Sequence, residues 1–194
     1  MYTVIGSVRS RALRVLWMLE EIGQRYDRID AGPQSEEARR HNPSGKIPVL
    51  LVDGAAVTDS TAILQFLADR HNALTFPPGT LERARQDGAT HFVLDEMDAL
   101  LWTAARHSFA LPEEHRVPEV KESLRWEYTR SLDRLAARIA GPFLMGDTMT
   151  VPDIVAAHCL SWARAAKFPE PDGAVADYRD MMLGRPAFRR ALGS

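Results

Sequence analysis

Two short runs carry the residue types from which a ligand site can be built. In residues 42–54, "NPSGKIPVLLVDG", a proline stands directly before an apolar run that ends in an Asp-Gly turn. In residues 57–63, "VTDSTAI", the acid-hydroxyl pair Asp59 and Ser60 stands where helical spacing begins. Either member can cap a helix by accepting from its first free N–H groups. A helix start also attracts anions, so Ser60 and its N–H could hold a carboxylate while Asp59 holds an ammonium. That set recognises a free amino-acid head group, one charge of each sign. Pro48 has a plain reading as a strand-start proline and a sharper one as a cis proline. A cis bond after Ile47 would leave the Ile47 N–H and C=O unpaired at a sheet edge, where an extended peptide could add as a strand. A peptide with a free α-amino-acid end and an extended middle fits both runs.

The bulk numbers narrow the field. At 194 residues the chain makes one large domain or two small ones. Its 45% hydrophobic content supports a core, and 26% charged residues a soluble surface. A net charge of −2 with no long basic run gives no reason to expect nucleic acid as a partner. Cys159 is the single cysteine, which rules out a disulfide within the chain and points to a cytoplasmic protein. No signal peptide is read at the start. No apolar run approaches the roughly 18 residues of a membrane span.

The elements that must position these residues fall into two halves. Residues 2–5 read as a strand, and 10–22 as a helix with Ala12, Val15, Leu16, Leu19 and Ile22 at helical spacing, stopped by Gly23. Residues 25–31 read as a second strand, 35–40 as a short helix or ordered loop, and 49–57 as two strands around Asp-Gly. Residues 59–71 are helical, with Ala62, Ile63, Phe66 and Leu67 on one face. The order β-α-β-α-β-β-α predicts a mixed sheet with helices against it, the first two strands parallel and the last two a hairpin. Pro77-Pro78-Gly79 then marks a linker. Beyond it only helical periods appear: Val93, Met97, Leu100 and Ala104, then Val120, Leu124, Tyr128, Leu132, Leu135 and Ile139. Residues 150–166 are apolar on more than one face, as a central helix would be. Thr150 and Asp153 there have capping-box spacing, with Met149 and Ile154 placed as a hydrophobic staple. The expected organisation is a first domain over 1–72, a linker over 73–80 and an all-helical domain over 81–194.

The runs "NPSGKIPVLLVDG" and "VTDSTAILQFL", with "GSVRSRALRVLWMLEE" before and "MTVPDIVAAHCL" after them, resemble the cytosolic glutathione transferases, and the likeness spans nearly the whole chain. The resemblance implies a thioredoxin-like N-terminal domain, an all-helical C-terminal domain and a homodimer. It implies glutathione as co-substrate, with the Ile47 backbone pairing to its cysteinyl unit and Pro48 as the cis proline. Asp59 would meet the γ-glutamyl ammonium and Ser60 its carboxylate, with Lys46 facing the glycyl carboxylate or the γ-glutamyl end. The implied activity is detoxifying: conjugation of glutathione to a small hydrophobic electrophile. The alternatives are a glutathione-dependent isomerase, dehalogenase or ether-cleaving enzyme, or a non-enzymatic interaction protein on the same fold. A Ser-Ser-Cys loop expected of a maleylacetoacetate-type isomerase does not match "SVRS".

Such an enzyme must ionise a thiol whose free pKa is about 8.5. A hydroxyl donor and a helix start both favour the anion. In the loop "GSVRSRA" the hydroxyls are Ser7 and Ser10. By resemblance Ser7 falls at the place of the serine used by some classes of the family; Ser10 also reads as the cap of the following helix. Classes with a cysteine in this loop are excluded, since Cys159 lies in the helical half. Arg9, Arg11 and Arg14 cluster nearby, where solvated surface arginines are the plain reading and added positive potential the sharper one. Trp102 and Arg106 are candidates for the second-substrate pocket, by position on the first long helix after the linker. No His/Cys cluster implies a metal.

Overall fold

The first half alternates strand and helix as its periodicity requires. The structure, a computed structural model, describes residues 1–193. It runs through β1 (Tyr2–Ile5), α1 (Ala12–Glu21), β2 (Tyr26–Ile29), α2 (Glu36–His41), β3 (Val49–Val52), β4 (Ala55–Thr58) and α3 (Ser60–His71). The sheet order is β2-β1-β3-β4. β1 and β2 are parallel; β3 is antiparallel to both β1 and β4. Asp53 and Gly54 close the hairpin with φ of 51° and 91°, the pair of positive values that a type I′ turn requires.

Register decides where a site can form. Ile5 stands opposite Val49, and Val49 opposite Thr58. The chain therefore leaves β1 toward Ser7, enters β3 from Ile47 and Pro48, and leaves β4 into Asp59 and Ser60, all at one end of the sheet.

α1 is buried on every side from Ala12 to Leu19, more than the expected single apolar stripe. It packs on β1, on α3 and on α9 (Pro186–Leu192). The Trp17 and Phe188 rings meet edge to face at 4.8 Å. Arg185 grips the Glu21 carboxylate with two bonds of 2.6 and 2.8 Å, and Trp17 Nε1 donates to it at 2.8 Å. Burial pushes the Glu21 pKa up, but the bonds from Arg185 and Trp17 and the charges of Arg185 and Arg190 outweigh it, leaving it below the usual 4.5. Residues Met1–Pro77 thus form a compact unit together with residues 183–193. This differs from the expectation of one helical domain over 81–194: Phe188 and Arg185 find partners in Trp17 and Glu21.

On α3 the buried face also differs. Ile63, Leu64, Leu67 and Ala68 are buried, Ala62 is exposed and Phe66 is half-buried. Phe66 lies near the surface, with the Arg70 guanidinium 5.6 Å from its ring centroid.

The second unit, Pro78–Met182, holds α4 (Leu81–Val93), α5 (Ala99–Ala105), α6 (Val120–Ala136), α7 (Val151–Ala165) and all but the last residue of α8 (Gly173–Leu183). A π-helical turn, Leu94–Asp98, joins α4 to α5, and a second, Arg106–Ala110, follows α5. Val93, Met97 and Ala104 are buried as their spacing requires, with Leu101 in place of Leu100. Every residue of α7 from Val151 to Leu160 is buried, as a central helix should be. Its start is held by Asp153, which accepts from the Thr150 N–H (2.8 Å), the Thr150 hydroxyl (3.1 Å), the Leu144 N–H (2.9 Å) and the Tyr178 hydroxyl (2.9 Å). Among the described residues no helix is long and apolar enough to cross a membrane.

Candidate functional site

At the shared sheet end, Gly6 brings the loop after β1 against Ile47. A Cβ placed on Gly6 would stand 2.7 Å from Ala12 Cβ and 3.5 Å from Ile47 Cβ. Its φ of 150° is likewise one that favours glycine. One residue on, Ser7 is half-buried. Its Oγ accepts from the Arg9 N–H at 3.3 Å, and among the described residues its own hydroxyl hydrogen has no acceptor. Ser10 is differently placed. Its hydroxyl donates to the Ser7 C=O at 2.7 Å and accepts from the Ala12 N–H at 3.1 Å. Ser10 therefore spends its hydroxyl on opening α1, which leaves Ser7 as the available donor.

The Ile47–Pro48 bond is cis. Pro48 is buried and Ile47 half-buried. Among the described loops and turns neither the N–H nor the C=O of Ile47 has a backbone partner. The approach is shaped by Asn42, whose amide donates to the Lys46 C=O at 2.9 Å and whose oxygen accepts from the Ser44 hydroxyl at 2.9 Å. The Lys46 side chain is exposed and forms no ion pair among the described residues.

Asp59 caps α3. One carboxylate oxygen, Oδ1, takes the N–H groups of Thr61 and Ala62 at 2.9 and 3.0 Å. Its other oxygen and the Ser60 N–H have no partner among the described residues. Asp59 has φ of 70° and ψ of 122°, a conformation that costs a non-glycine residue about 1–3 kcal/mol and concentrates at functional sites. Ser60 is only 3% exposed. From beneath, Arg14 of α1 donates Nη1 to Ser60 Oγ at 3.4 Å, and Arg14 has no exposed surface at all. This corrects the surface reading of Arg14: it is a buried cation set under the helix start.

The sheet end therefore offers, on one unit, a hydroxyl donor, an open backbone pair, a free carboxylate oxygen and a helix N–H. Apart from Gly6 and Ser7, the residues from which it is built lie in a stretch that matches a known family: residues 9–70 correspond to the glutathione S-transferase N-terminal domain, and 97–186 to the glutathione S-transferase C-terminal domain. The chain belongs to the glutathione S-transferase family. Within it, the chain is 27% identical to glutathione transferase GST 23 of Zea mays over 187 residues, covering 93% of this chain and 79% of that one. It is 30% identical over 154 residues to elongation factor 1-gamma of Trypanosoma cruzi, covering 75% of this chain but only 35% of that longer protein. In fold it is similar to a theta class glutathione S-transferase of Xanthomonas axonopodis pv. citri solved with glutathione bound, with TM-score 0.79 and 22% identity over 100% of this chain and 97% of that one.

Of the residues singled out in the glutathione S-transferase sequence pattern, Ser7, Ile47, Pro48, Asp59 and Ser60 are gathered at this sheet end. Trp102 and Arg106 belong to the second unit. Trp102 is half-buried on α5, and Arg106 is exposed, its guanidinium donating to Thr103 Oγ1 at 3.0 Å. A surface groove of about 1220 Å³ lies elsewhere, at the opposite end of the sheet beside Tyr2, Tyr26 and His71. It is lined by none of the candidate residues. Gly6 was not legible as a site residue, and Arg14 only as one of three arginines that could add positive potential near the loop, not as a buried cation under Ser60. Their signals were an arginine inside the apolar run "ALRVLWML" and a glycine between a strand end and a helix start. Among the described residues no three His, Cys, Asp or Glu side chains gather as a metal group.

Proposed function

We propose that this glutathione S-transferase family member binds glutathione on its first unit, ionises the thiol and conjugates it to a small electrophile. The observation that carries the reading is the set of unused polar groups at the sheet end, each matching one part of the tripeptide. Asp59 Oδ2 suits the γ-glutamyl ammonium, and the Ser60 N–H and hydroxyl suit its carboxylate. Ile47 N–H and C=O suit the cysteinyl backbone as an added strand. Lys46 is free for the glycyl carboxylate.

The Ser7 hydroxyl hydrogen then donates to the sulfur. Because it bonds the thiolate better than the thiol, it lowers the thiol pKa from about 8.5. The thiol proton leaves to solvent. The thiolate attacks an electrophilic carbon; for an aryl halide, a C–S bond forms and the carbon–halogen bond breaks with loss of halide. Trp102 and Arg106 are the proposed contacts for the second substrate. The reading is tested by calorimetric titration with glutathione and by turnover of an aryl halide. Absence of glutathione binding overturns it.

A second reading, a glutathione-binding interaction module without turnover, is favoured by the 30% identity to elongation factor 1-gamma of Trypanosoma cruzi. Binding without conjugation of any aryl halide, epoxide or activated alkene would select it.

A further inference from the structure

The second unit contains a cavity of its own, of about 170 Å³. Its wall is apolar: Leu101 at 1%, Ala104 and Ala105 of α5 and Phe168 after α7 are all buried. Its rim is cationic. Lys121 and Arg125 stand one turn apart on α6, the first half-buried and the second exposed, and both line the opening. Neither forms an ion pair among the described residues. The Arg125 guanidinium carbon lies 5.7 Å from the centroid of the Phe168 ring, so this charge stands directly over the apolar wall.

Two further features mark the place as more than a packing gap. Phe109 lines the cavity yet is 70% exposed, an aromatic ring held in water at the rim. It is carried by the π-helical turn Arg106–Ala110. Such turns are rare, and they are frequent at functional sites.

Size and charge together select a ligand class. An apolar cavity of about 150 Å³ takes one benzene ring, so this one takes a single ring and little more. Two uncompensated cations at the mouth demand an anion, and carboxylates make the strong charge-assisted bonds that lysine and arginine offer. We propose that the cavity binds a small aromatic carboxylate, its ring against Leu101, Ala104 and Phe168 and its carboxylate on Lys121 and Arg125. Phe109 closes over the ring. The site is independent of the glutathione reading, because every lining residue lies in the second unit.

The test is calorimetric titration of the whole chain, without glutathione, using benzoate and its neutral isostere benzamide. Benzoate binds at least about tenfold more tightly than benzamide. The double variant Lys121→Met/Arg125→Met abolishes that preference. Ala166→Leu, which narrows the cavity from its α7 side, weakens both. Equal binding of the two probes to the native chain, or a preference that survives the double variant, overturns the proposal. Circular dichroism establishes that each variant is folded. Should Ala166→Leu not fold, the comparison of probes in the native chain and the double variant decides alone.

Discussion

Arg14 Nη1 lies 3.4 Å from Ser60 Oγ although the two residues are 46 positions apart. The arginine is fully buried, so its charge acts on the start of α3 through a low-dielectric interior and is weakly screened by salt. On the proposed function it is a positioning residue for the ligand carboxylate. Arg14→Lys, which removes the planar fork, is expected to weaken glutathione binding about tenfold. KM for glutathione should rise with kcat nearly unchanged. A fall in kcat at constant KM would show that Arg14 acts elsewhere.

The two serines of the first loop should separate cleanly. Ser7→Ala removes the free hydroxyl donor and is expected to lower kcat/KM at neutral pH by about 10- to 100-fold, with loss of the thiolate absorbance of bound glutathione. Ser10→Ala removes two local bonds and should cost stability of about 1 kcal/mol while the thiolate persists. Loss of thiolate in Ser10→Ala alone would reverse the assignment.

Gly6→Ala forces a Cβ to within 2.7 Å of Ala12 Cβ at a φ of 150°. Either α1 or the loop must shift. Destabilisation of more than about 1 kcal/mol is expected, with weaker glutathione binding because the loop also touches Ile47. A variant with native melting temperature and native affinity would contradict this packing.

Asp153 gathers four donors in the second unit. Asp153→Ala leaves them unsatisfied in the interior and should cost about 3 kcal/mol or more, measured by urea denaturation.

Two carboxyls give opposite pH signatures. Glu21 is held below its usual 4.5. Unfolding therefore takes up a proton just below that value, and the stabilisation, complete above it, is lost as pH falls through the folded-state pKa. Glu21→Gln should flatten the acid limb of the stability curve. Burial pushes Asp153 above its usual 3.8, partly opposed by bonds from Leu144, Thr150 and Tyr178. Folding retains a proton just above 3.8, so the Asp153 contribution declines as pH rises through that window. Asp153→Asn should remove this slope. Identical slopes in each variant and the native chain would refute both signs.

Local signals made much of this molecule legible. Strand order in the sequence followed from "YTVI", the Asp-Gly turn and the helical spacing between them, because each is a short-range preference. Asp59, Ser60 and Pro48 were legible because caps and prolines act on their immediate neighbours. The burial of Arg14 was not, since it depends on a contact with Ser60 of α3, which is remote in sequence. Nor was the true face of α3: Leu64 and Ala68 are turned inward by packing, and the spacing of Ala62 and Phe66 looked equally good. Cavities built from three helices, such as the one beside Phe168, leave no periodic trace in the chain.

The pairing of Trp17 with Phe188 bears on how the chain is born. A ribosome delivers Trp17 early and Phe188 some 170 residues later. By then all of 78–182 has emerged. The unit begun first is thus the last to be completed, and during that wait one flank of α1 must stay bare or be shielded by a chaperone.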